Sequence, residues 1–249
     1  MLDNRTNVSV FDTSEQLALA AAERFVECAR EFHGTLERFS VALAGGNTPR
    51  RVYELLATER FKNRIDWPQV YLFFGDERLV PPDHPDSNYA MVYESLISKV
   101  PIPPTNVHRI VGERNPSENA RAYENQLRTF FAGLSWPRFE LALLGMGEDG
   151  HTASLYPNSA ALWEVSHWVV PTKNEQSGQD RITLTVPVFN HARRVAFLVT
   201  GKKKAQRLKE VLRAEPGSEQ LPIQAIKPNK EMPGGSVEWY ADAEAASLL

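Results

Sequence analysis

The stretch FELALLGMGEDGHTASLYP (139–157) contains the strongest indication of both fold and function in this chain. Its apolar run LALL (141–144) is too short for a helix and is followed at once by glycine, which is typical of a strand buried on both faces. In open α/β sheets, ligands bind beyond the carboxyl ends of the strands. Asp149-Gly150-His151 follows this strand, so we interpret His151 as a candidate catalytic residue. The alternative is a polar turn in which His151 is merely a capping residue.

The same stretch matches the dinucleotide-binding pattern G-x-G-x-x-G through the glycines of 145–150. Its context argues against a nicotinamide cofactor. The acidic pair 148–149 would face a pyrophosphate, Pro157 leaves little room for a long helix, and no acid after the next apolar segment is placed to bind a ribose hydroxyl. An NAD(P)-dependent oxidoreductase stays open as an alternative.

Composition indicates one globular domain over residues 1–249, because 42% apolar residues suffice for a well-buried core. The net charge of -3 predicts no general attraction to nucleic acid or to an anionic membrane. Cys28 is the one cysteine, which excludes an internal disulfide, and we expect an inert buried thiol. The first eleven residues do not resemble a secretory signal and no segment is long enough to span a membrane, so we expect a cytoplasmic protein.

Elsewhere the chain alternates between short apolar segments and amphipathic helical patterns. The predicted strands are 8–11, 39–44, 70–74, 107–110, 141–144, 168–170, 182–186 and 194–200. Helical patterns follow residues 12–13, 45–49, 87–88 and 201–205, and occupy 117–131. Repeated strand–helix units predict an α/β protein with a mainly parallel sheet covered on both sides. We expect 171–180 to be a mobile loop and 214–235 a connection rich in Pro and Gly.

Gly45-Gly46-Asn47-Thr48-Pro49 lies where a predicted strand meets a predicted helix. Two glycines let backbone N–H groups turn inward, and Pro49 suits the first helical position because it has no N–H to leave unpaired there. A helix N-terminus offers donors and partial positive charge to an anion, and Thr48 adds a hydroxyl. The spacing is not that of a Walker loop, so we expect an anion-binding turn; an ordinary Gly-Gly turn is the alternative.

Two further strand ends carry charge. Asp-Glu-Arg (76–78) follows the third predicted strand, and Lys-Lys-Lys (202–204) follows the strand at 194–200. Each alone is compatible with a solvated charge cluster. Together with Arg181 they bring cations to the sheet edge where the anion turn and the histidine are expected, which predicts a small phosphorylated substrate. A metal site is less well supported, because no compact ligand set accompanies Asp149.

Four segments resemble the 6-phosphogluconolactonase family of the glucosamine/galactosamine-6-phosphate isomerase superfamily. They are VALAGGNTPRRVYELLA (41–57), VYLFFGDERLVPPDHPDSNY (70–89), FELALLGMGEDGHTASLYP (139–157) and RITLTVPVFNHARRVAFLVTGKKKA (181–205). The resemblance implies a single Rossmann-like, three-layer α/β/α domain with a mainly parallel sheet. It also implies hydrolysis of 6-phospho-D-glucono-1,5-lactone to 6-phosphogluconate in the oxidative pentose phosphate pathway, without a metal or other cofactor.

The resemblance further implies roles for individual residues. His151 resembles the catalytic histidine, with Asp149 nearby to orient or tune it. The predicted contacts to the substrate and its phosphate are Gly45, Gly46, Asn47, Thr48, Asp76, Arg78, Arg181 and Lys204. The chain departs from the family at Ala44, where many members have serine. The phosphate must therefore bind to backbone donors and Thr48 without that hydroxyl.

The main alternative is a sister activity of the superfamily, the ring-opening deamination of glucosamine-6-phosphate. Those relatives carry a glutamate five residues after the corresponding histidine, where this chain has Tyr156. Tyrosine does not ionise near neutral pH and cannot do a carboxylate's proton transfer. By the same resemblance, those relatives have Asp-Glu-Tyr at the position where this chain has Asp-Glu-Arg (76–78). Both differences favour the lactonase. A non-catalytic sugar-phosphate sensor stays open as well, and we expect a monomer.

Overall fold

The computed structural model describes residues 7–35, 37–213, 220–228 and 235–249. In these ranges the strands are β1 (Asn7–Phe11), β2 (Phe39–Leu43), β3 (Val70–Phe74), β4 (Asp76–Arg78), β5 (Val107–His108), β6 (Leu141–Gly145), β7 (Val169–Lys173), β8 (Asp180–Leu184), β9 (Arg194–Val199) and β10 (Ser236–Asp242). The helices are α1 (Ser14–Arg30), α2 (Asn47–Leu56), α3 (Glu59–Lys62), α4 (Asn88–Ser95), α5 (Pro116–Phe130), α6 (Val186–Asn190) and α7 (Ala205–Leu212). Short 3₁₀ turns cover Trp67–Gln69, Ile97–Lys99, Pro104–Asn106, Ala160–Trp163, Lys202–Lys204 and Pro222–Ala225.

Within the described ranges, seven strands form one sheet in the order β1-β10-β9-β6-β2-β3-β5, and the pairings between them are parallel. The predicted parallel sheet is therefore confirmed. A second sheet of three antiparallel strands, β4-β8-β7, was not predicted. Helices flank the sheets: α1, α2 and α4 form a packed group, while α5 packs against β7 and β8. None of the described helices is long and apolar enough to cross a membrane.

The inner strands of the parallel sheet are buried along their length. All of β2 and β9 is buried, as are the first four residues of β6. A strand covered by helices on both faces has no polar face, which explains why these segments are nearly continuous apolar runs. The predicted strand at 141–144 is confirmed as β6, and it ends where the glycine loop begins.

Helix α1 begins where the sequence predicts. The N–H of Gln16 donates to Thr13 Oγ1 at 3.2 Å, and the N–H of Thr13 donates to Gln16 Oε1 at 3.3 Å. This reciprocal pair satisfies two backbone donors at the helix start. Cys28, on the same helix, is fully buried, and burial raises the pKa of its thiol to about 11. The thiol therefore keeps its proton near neutral pH.

Several secondary-structure predictions are wrong. Segment 171–180 is not one loop, because β7 and β8 form a hairpin closed by a turn in which the N–H of Asn174 donates to Gln179 O at 3.0 Å. Pro49 is the third residue of α2 rather than the first. Strand β10 was not predicted at all, since its sequence SVEWYAD mixes acids with apolar residues. Most of the predicted connection 214–235 lies outside the described residues, namely 214–219 and 229–234, as do residues 1–6 at the N-terminus.

Candidate active site

A pocket of about 250 Å³ opens beyond the carboxyl ends of β2, β3 and β6. Six predicted site residues contribute to its wall: Gly45, Gly46, Asp76, Arg78, His151 and Lys204. The glycine turn and the imidazole therefore face one common cleft, as the sequence predicts. Four other predicted site residues, Asn47, Thr48, Asp149 and Arg181, lie outside the pocket wall. The roles assigned to all ten stay predictions.

His151 and Asp149 form a close pair. Their Nδ1 and Oδ1 atoms are 2.5 Å apart, and the backbone N–H of His151 donates to the same oxygen at 3.1 Å. Burial alone raises the pKa of Asp149, but the hydrogen bonds and charge of His151 outweigh it and hold that pKa below its usual range. The ionised carboxylate keeps the proton of the imidazole on Nδ1, so Nε2 is the nitrogen available to accept a proton.

The loop that carries this pair is closed by its own hydrogen bonds. The N–H of Gly147 donates to His151 O at 2.8 Å, and Thr152 Oγ1 donates to Gly145 O at 2.8 Å. A Cβ at residue 147 would lie 2.1 Å from His151 Nδ1 and 2.6 Å from Asp149 Oδ1. A side chain at residue 147 would therefore displace the imidazole and the carboxylate, which pack directly on the backbone there.

The glycine turn precedes α2 as predicted. Gly46 has φ of 99° and caps the helix without a side chain, a backbone conformation that favours glycine. The first N–H groups of an α-helix have no partner within the helix, and its N-terminus carries partial positive charge. The Thr48 hydroxyl does not line the pocket; its Oγ1 lies 2.6 Å from Thr200 Oγ1, so it ties α2 to the end of β9. Sequence reasoning missed Thr200.

Lys204 lies in the pocket wall at the start of α7. Burial lowers the pKa of its ammonium group, and the nearby carboxylates of Glu148 and Asp149 oppose that shift. A lysine in this position is a cation without a direct carboxylate partner among the described ion pairs. It is therefore suited to bind an anionic group of a ligand.

Two arginines face each other across the small sheet. Arg78 of β4 pairs in register with Arg181 of β8. Arg181 is buried, and its Nε and Nη1 have no hydrogen-bond partner among the described residues, nor does Arg78 Nε. Arg78 Nη1 donates to Asp86 O. Like charges directly opposite in a sheet are destabilising, so this pair is suited to an anion bound beside it.

Asp76 is a buried acceptor with two donors from other elements. Asn88 Nδ2 donates to Asp76 Oδ1 at 3.2 Å, and Ser154 Oγ donates to Asp76 Oδ2 at 2.7 Å. Asn88 also lines the pocket, where it packs against Gly45. Sequence reasoning missed both donors. Asn88 had a signal, its place at a predicted helix start, whereas nothing in the sequence pattern pointed from Ser154 to Asp76.

Glu77 holds the beginning of α4. Its carboxylate accepts the N–H of Asn88 at 2.7 Å, the N–H of Tyr89 at 2.8 Å and the hydroxyl of Ser87 at 3.0 Å. Burial raises the pKa of Glu77, and the backbone hydrogen bonds oppose that shift. Among the described residues, no group of three or more His, Cys, Asp or Glu side chains lies close enough together to hold a metal ion.

Comparison with known proteins assigns the chain to a family. A family model described as glucosamine-6-phosphate isomerases/6-phosphogluconolactonase matches residues 12–239. The chain is 40% identical to the 6-phosphogluconolactonase of Synechocystis sp. over 214 residues, which are 84% of this chain and 84% of that protein. It is 35% identical to the 6-phosphogluconolactonase of Haemophilus influenzae over 243 residues, which are 98% of this chain and 100% of that protein.

A solved structure agrees with these sequence matches. The 6-phosphogluconolactonase from Trypanosoma brucei has a TM-score of 0.87 at 29% identity, covering 98% of this chain and 99% of that one. The likeness confirms the predicted Rossmann-like arrangement of a mainly parallel sheet between helices. By its sequence and by its fold, the chain belongs to the glucosamine-6-phosphate isomerase/6-phosphogluconolactonase family.

Proposed function

We propose that this chain is a 6-phosphogluconolactonase, which hydrolyses 6-phospho-D-glucono-1,5-lactone to 6-phosphogluconate in the oxidative pentose phosphate pathway. The observation that supports it best is the common pocket of His151, Gly45 and Gly46, which combines a base with an anion-binding turn. Family membership and the curated relatives named for this activity support the same reaction.

The substrate's phosphate binds at the glycine turn. Backbone N–H groups at the start of α2 and the Lys204 ammonium group supply donors and positive charge there. Arg78 adds positive charge in the wall of the same pocket, and the buried Arg181 lies opposite Arg78 in the neighbouring strand, behind that wall. Fixing the phosphate at one end places the lactone ring close to His151, and such positioning lowers the barrier to reaction.

His151 then acts as the base. Its Nε2 accepts a proton from water as the water oxygen forms a bond to C1 of the lactone, and Asp149 stabilises the imidazolium. Arg78 or amides of the glycine loop stabilise the negative charge on the carbonyl oxygen. When the bond between C1 and the ring oxygen breaks, the imidazolium returns its proton to the ring oxygen. The products are a carboxylic acid, which ionises, and a free hydroxyl.

The residue beside the imidazole supports the lactonase over the deaminase. Tyr156 occupies the position at which the glucosamine-6-phosphate deaminases of the superfamily are expected to carry glutamate. Its ring centroid lies 4.8 Å from that of His151. A phenol there offers no carboxylate for ring opening and proton transfer. The dinucleotide alternative is not favoured either, because a turn with a Thr152–Leu155 bridge follows the glycine loop instead of a helix.

The decisive experiment generates the lactone in situ and follows acid release above the spontaneous rate, with ammonia release from glucosamine-6-phosphate measured in parallel. We expect rapid acid release and no ammonia above background. Ammonia release faster than lactone opening would contradict the lactonase function and support the deaminase function instead. Binding of 6-phosphogluconate without faster lactone opening would indicate a sugar-phosphate sensor, and reduction of NAD(P) by sugar phosphates alone would indicate an oxidoreductase.

We further propose that the protein works as a cytoplasmic monomer, without nucleic-acid or membrane partners. The net charge of -3 offers no general attraction to polyanions. Sedimentation at micromolar concentration tests the oligomeric state. A dimer whose dissociation abolishes lactone opening would contradict the proposal.

A further inference from the structure

One buried hydroxyl binds both backbone groups of the residue that precedes the glycine turn. Tyr53 Oη donates to Ala44 O at 2.9 Å and accepts the N–H of Ala44 at 3.1 Å. Tyr53 is fully buried and Ala44 is 5% exposed, so water does not compete for these groups. Burial raises the pKa of Tyr53, which keeps the hydroxyl protonated and able to donate.

The ladders of the described strands end before Ala44. The pairing of β2 with β6 ends at Ala42, and its pairing with β3 ends at Leu43. The N–H and C=O of Ala44 lie beyond both ladders, although they are buried. A buried backbone group without a partner is costly, and the Tyr53 hydroxyl satisfies both groups at once.

The location of Tyr53 on α2 connects this contact to the anion turn. Side chains on a helix tilt toward its N-terminus, so a residue in the second turn of α2 can reach back past Gly46 to the strand end. The hydroxyl thus joins the two sides of Gly45-Gly46, namely the strand before it and the helix after it. Glycine restricts the backbone little, so the turn itself does not fix this geometry.

A second tyrosine makes a similar contact at the end of the neighbouring strand β3, away from the Gly45-Gly46 turn. Tyr123 Oη accepts the N–H of Phe74 at 2.8 Å and lies 3.3 Å from Phe74 O, and it donates in addition toward His108 O at 3.2 Å. Tyr123 lies on α5 and is also buried. Both tyrosines are therefore buried and bind backbone groups through their hydroxyls. They differ mainly in the strand end that they contact.

We propose that Tyr53 is a positioning residue that holds the Gly45-Gly46 turn in the geometry that binds the substrate phosphate. It acts through the backbone of Ala44 and does not touch the substrate. The proposal builds on the proposed lactonase function. If so, removing the Tyr53 hydroxyl weakens phosphate binding. The rate of the chemical step at His151 stays nearly the same once the lactone is bound.

The test is Tyr53→Phe beside the matched control Tyr123→Phe, since each deletes one buried hydroxyl and keeps the ring. For Tyr53→Phe we expect KM for the lactone and Kd for 6-phosphogluconate to rise about tenfold, the equivalent of about 1.4 kcal/mol, with kcat changed less than about twofold. For Tyr123→Phe we expect a similar loss of stability toward urea and a KM within about twofold of the wild type. Titration calorimetry with inorganic phosphate checks the binding change without turnover.

Three outcomes would overturn the proposal. These are a KM unchanged in Tyr53→Phe despite reduced stability, an equal rise of KM in both variants, and a loss confined to kcat. Amide exchange in the wild-type protein provides a test that needs no folded variant: we expect the Ala44 N–H to be protected without ligand, and rapid exchange would contradict the contact. If the wild type does not open the lactone, the proposed function fails, whereas the phosphate calorimetry still tests Tyr53.

Discussion

Ser154 Oγ donates a hydrogen bond of 2.7 Å to Asp76 Oδ2, and the two residues are 78 positions apart in the chain. Both side chains are buried. Ser154 follows His151 on the glycine loop, whereas Asp76 begins β4, which carries Arg78. One hydrogen bond thus joins the wall that holds the base to the wall that holds the arginine.

This contact predicts the effect of Ser154→Ala. A buried carboxylate that loses a donor is left partly unsatisfied, so we expect the free energy of unfolding to fall by about 1–3 kcal/mol. Urea-induced unfolding measures the change. The control is Ser247→Ala, because Ser247 is exposed and its hydroxyl donates to Glu244 O near the C-terminus. Equal effects in the two variants would contradict a stabilising role for the buried bond.

Removal of the imidazole tests the base. We expect His151→Ala to lower kcat by about two to four orders of magnitude, because positioned general bases contribute about that much. Steady-state acid release from the lactone measures it. His167→Ala is the control, since the His167 side chain is 63% exposed and interacts with Glu164 outside the pocket. Unchanged turnover in His151→Ala would remove this residue from the mechanism.

Asp149→Asn tests the partner of the base separately. The amide has no charge to stabilise an imidazolium and does not enforce one tautomer, so we expect kcat to fall by about 10- to 1,000-fold while KM stays nearly constant. Initial rates over a range of lactone concentrations separate the two parameters. A rise in KM with constant kcat would instead assign Asp149 to substrate binding.

Gly147→Ala tests the close packing of the loop. The added Cβ would lie 2.1 Å from His151 Nδ1, so the imidazole must move and we expect kcat to fall at least about tenfold. Gly145→Ala is the comparison, because a Cβ there has no neighbour within 4 Å in the part of the chain that the structure describes, and the imidazole keeps its place. Circular dichroism verifies that both variants fold. A smaller loss of kcat in Gly147→Ala than in Gly145→Ala would be inconsistent with this packing.

Glu238 predicts a pH dependence of stability. Burial raises the pKa of Glu238, but hydrogen bonds and charge from Arg24, 2.5 Å away at its closest atom, prevail and hold it below 4.5. A carboxyl whose pKa is lower in the folded state stabilises the fold above its ordinary pKa, and this contribution is lost as the pH falls below 4.5.

Glu238→Gln should therefore lower the free energy of unfolding by about 1–3 kcal/mol at neutral pH and reduce its further loss on acidification. Urea unfolding at a series of pH values measures both effects. Glu94→Gln, at an exposed position, serves as the control and is expected to change little. If the free energy of unfolding fell as steeply with decreasing pH in Glu238→Gln as in the wild type, Glu238 would not be the source of this pH dependence.

Local patterns were sufficient to predict the strand ends that form the site. The apolar run of β6, the glycines before α2 and the histidine loop each have a signature within a few residues. Strand β10 had no such signature, because the buried Glu238 interrupts its apolar pattern and is acceptable only with Arg24 beside it. The strands at 168–170 and 182–186 were predicted, but their pairing into the hairpin of β7 and β8 was missed, because these residues obtain their partners from each other and from α5.

The sequence by itself determined that the chain alternates strands and helices, and that a glycine turn, cations and a histidine follow strands of one parallel sheet. Only the tertiary structure decided which of these side chains face the pocket and what holds them there. It placed Thr48 against Thr200, Arg78 opposite Arg181, and Tyr53 under Ala44. Periodicity specifies which face of an element is buried, but the partner on the other side comes from an element remote in sequence, and that pairing is a property of the packed fold.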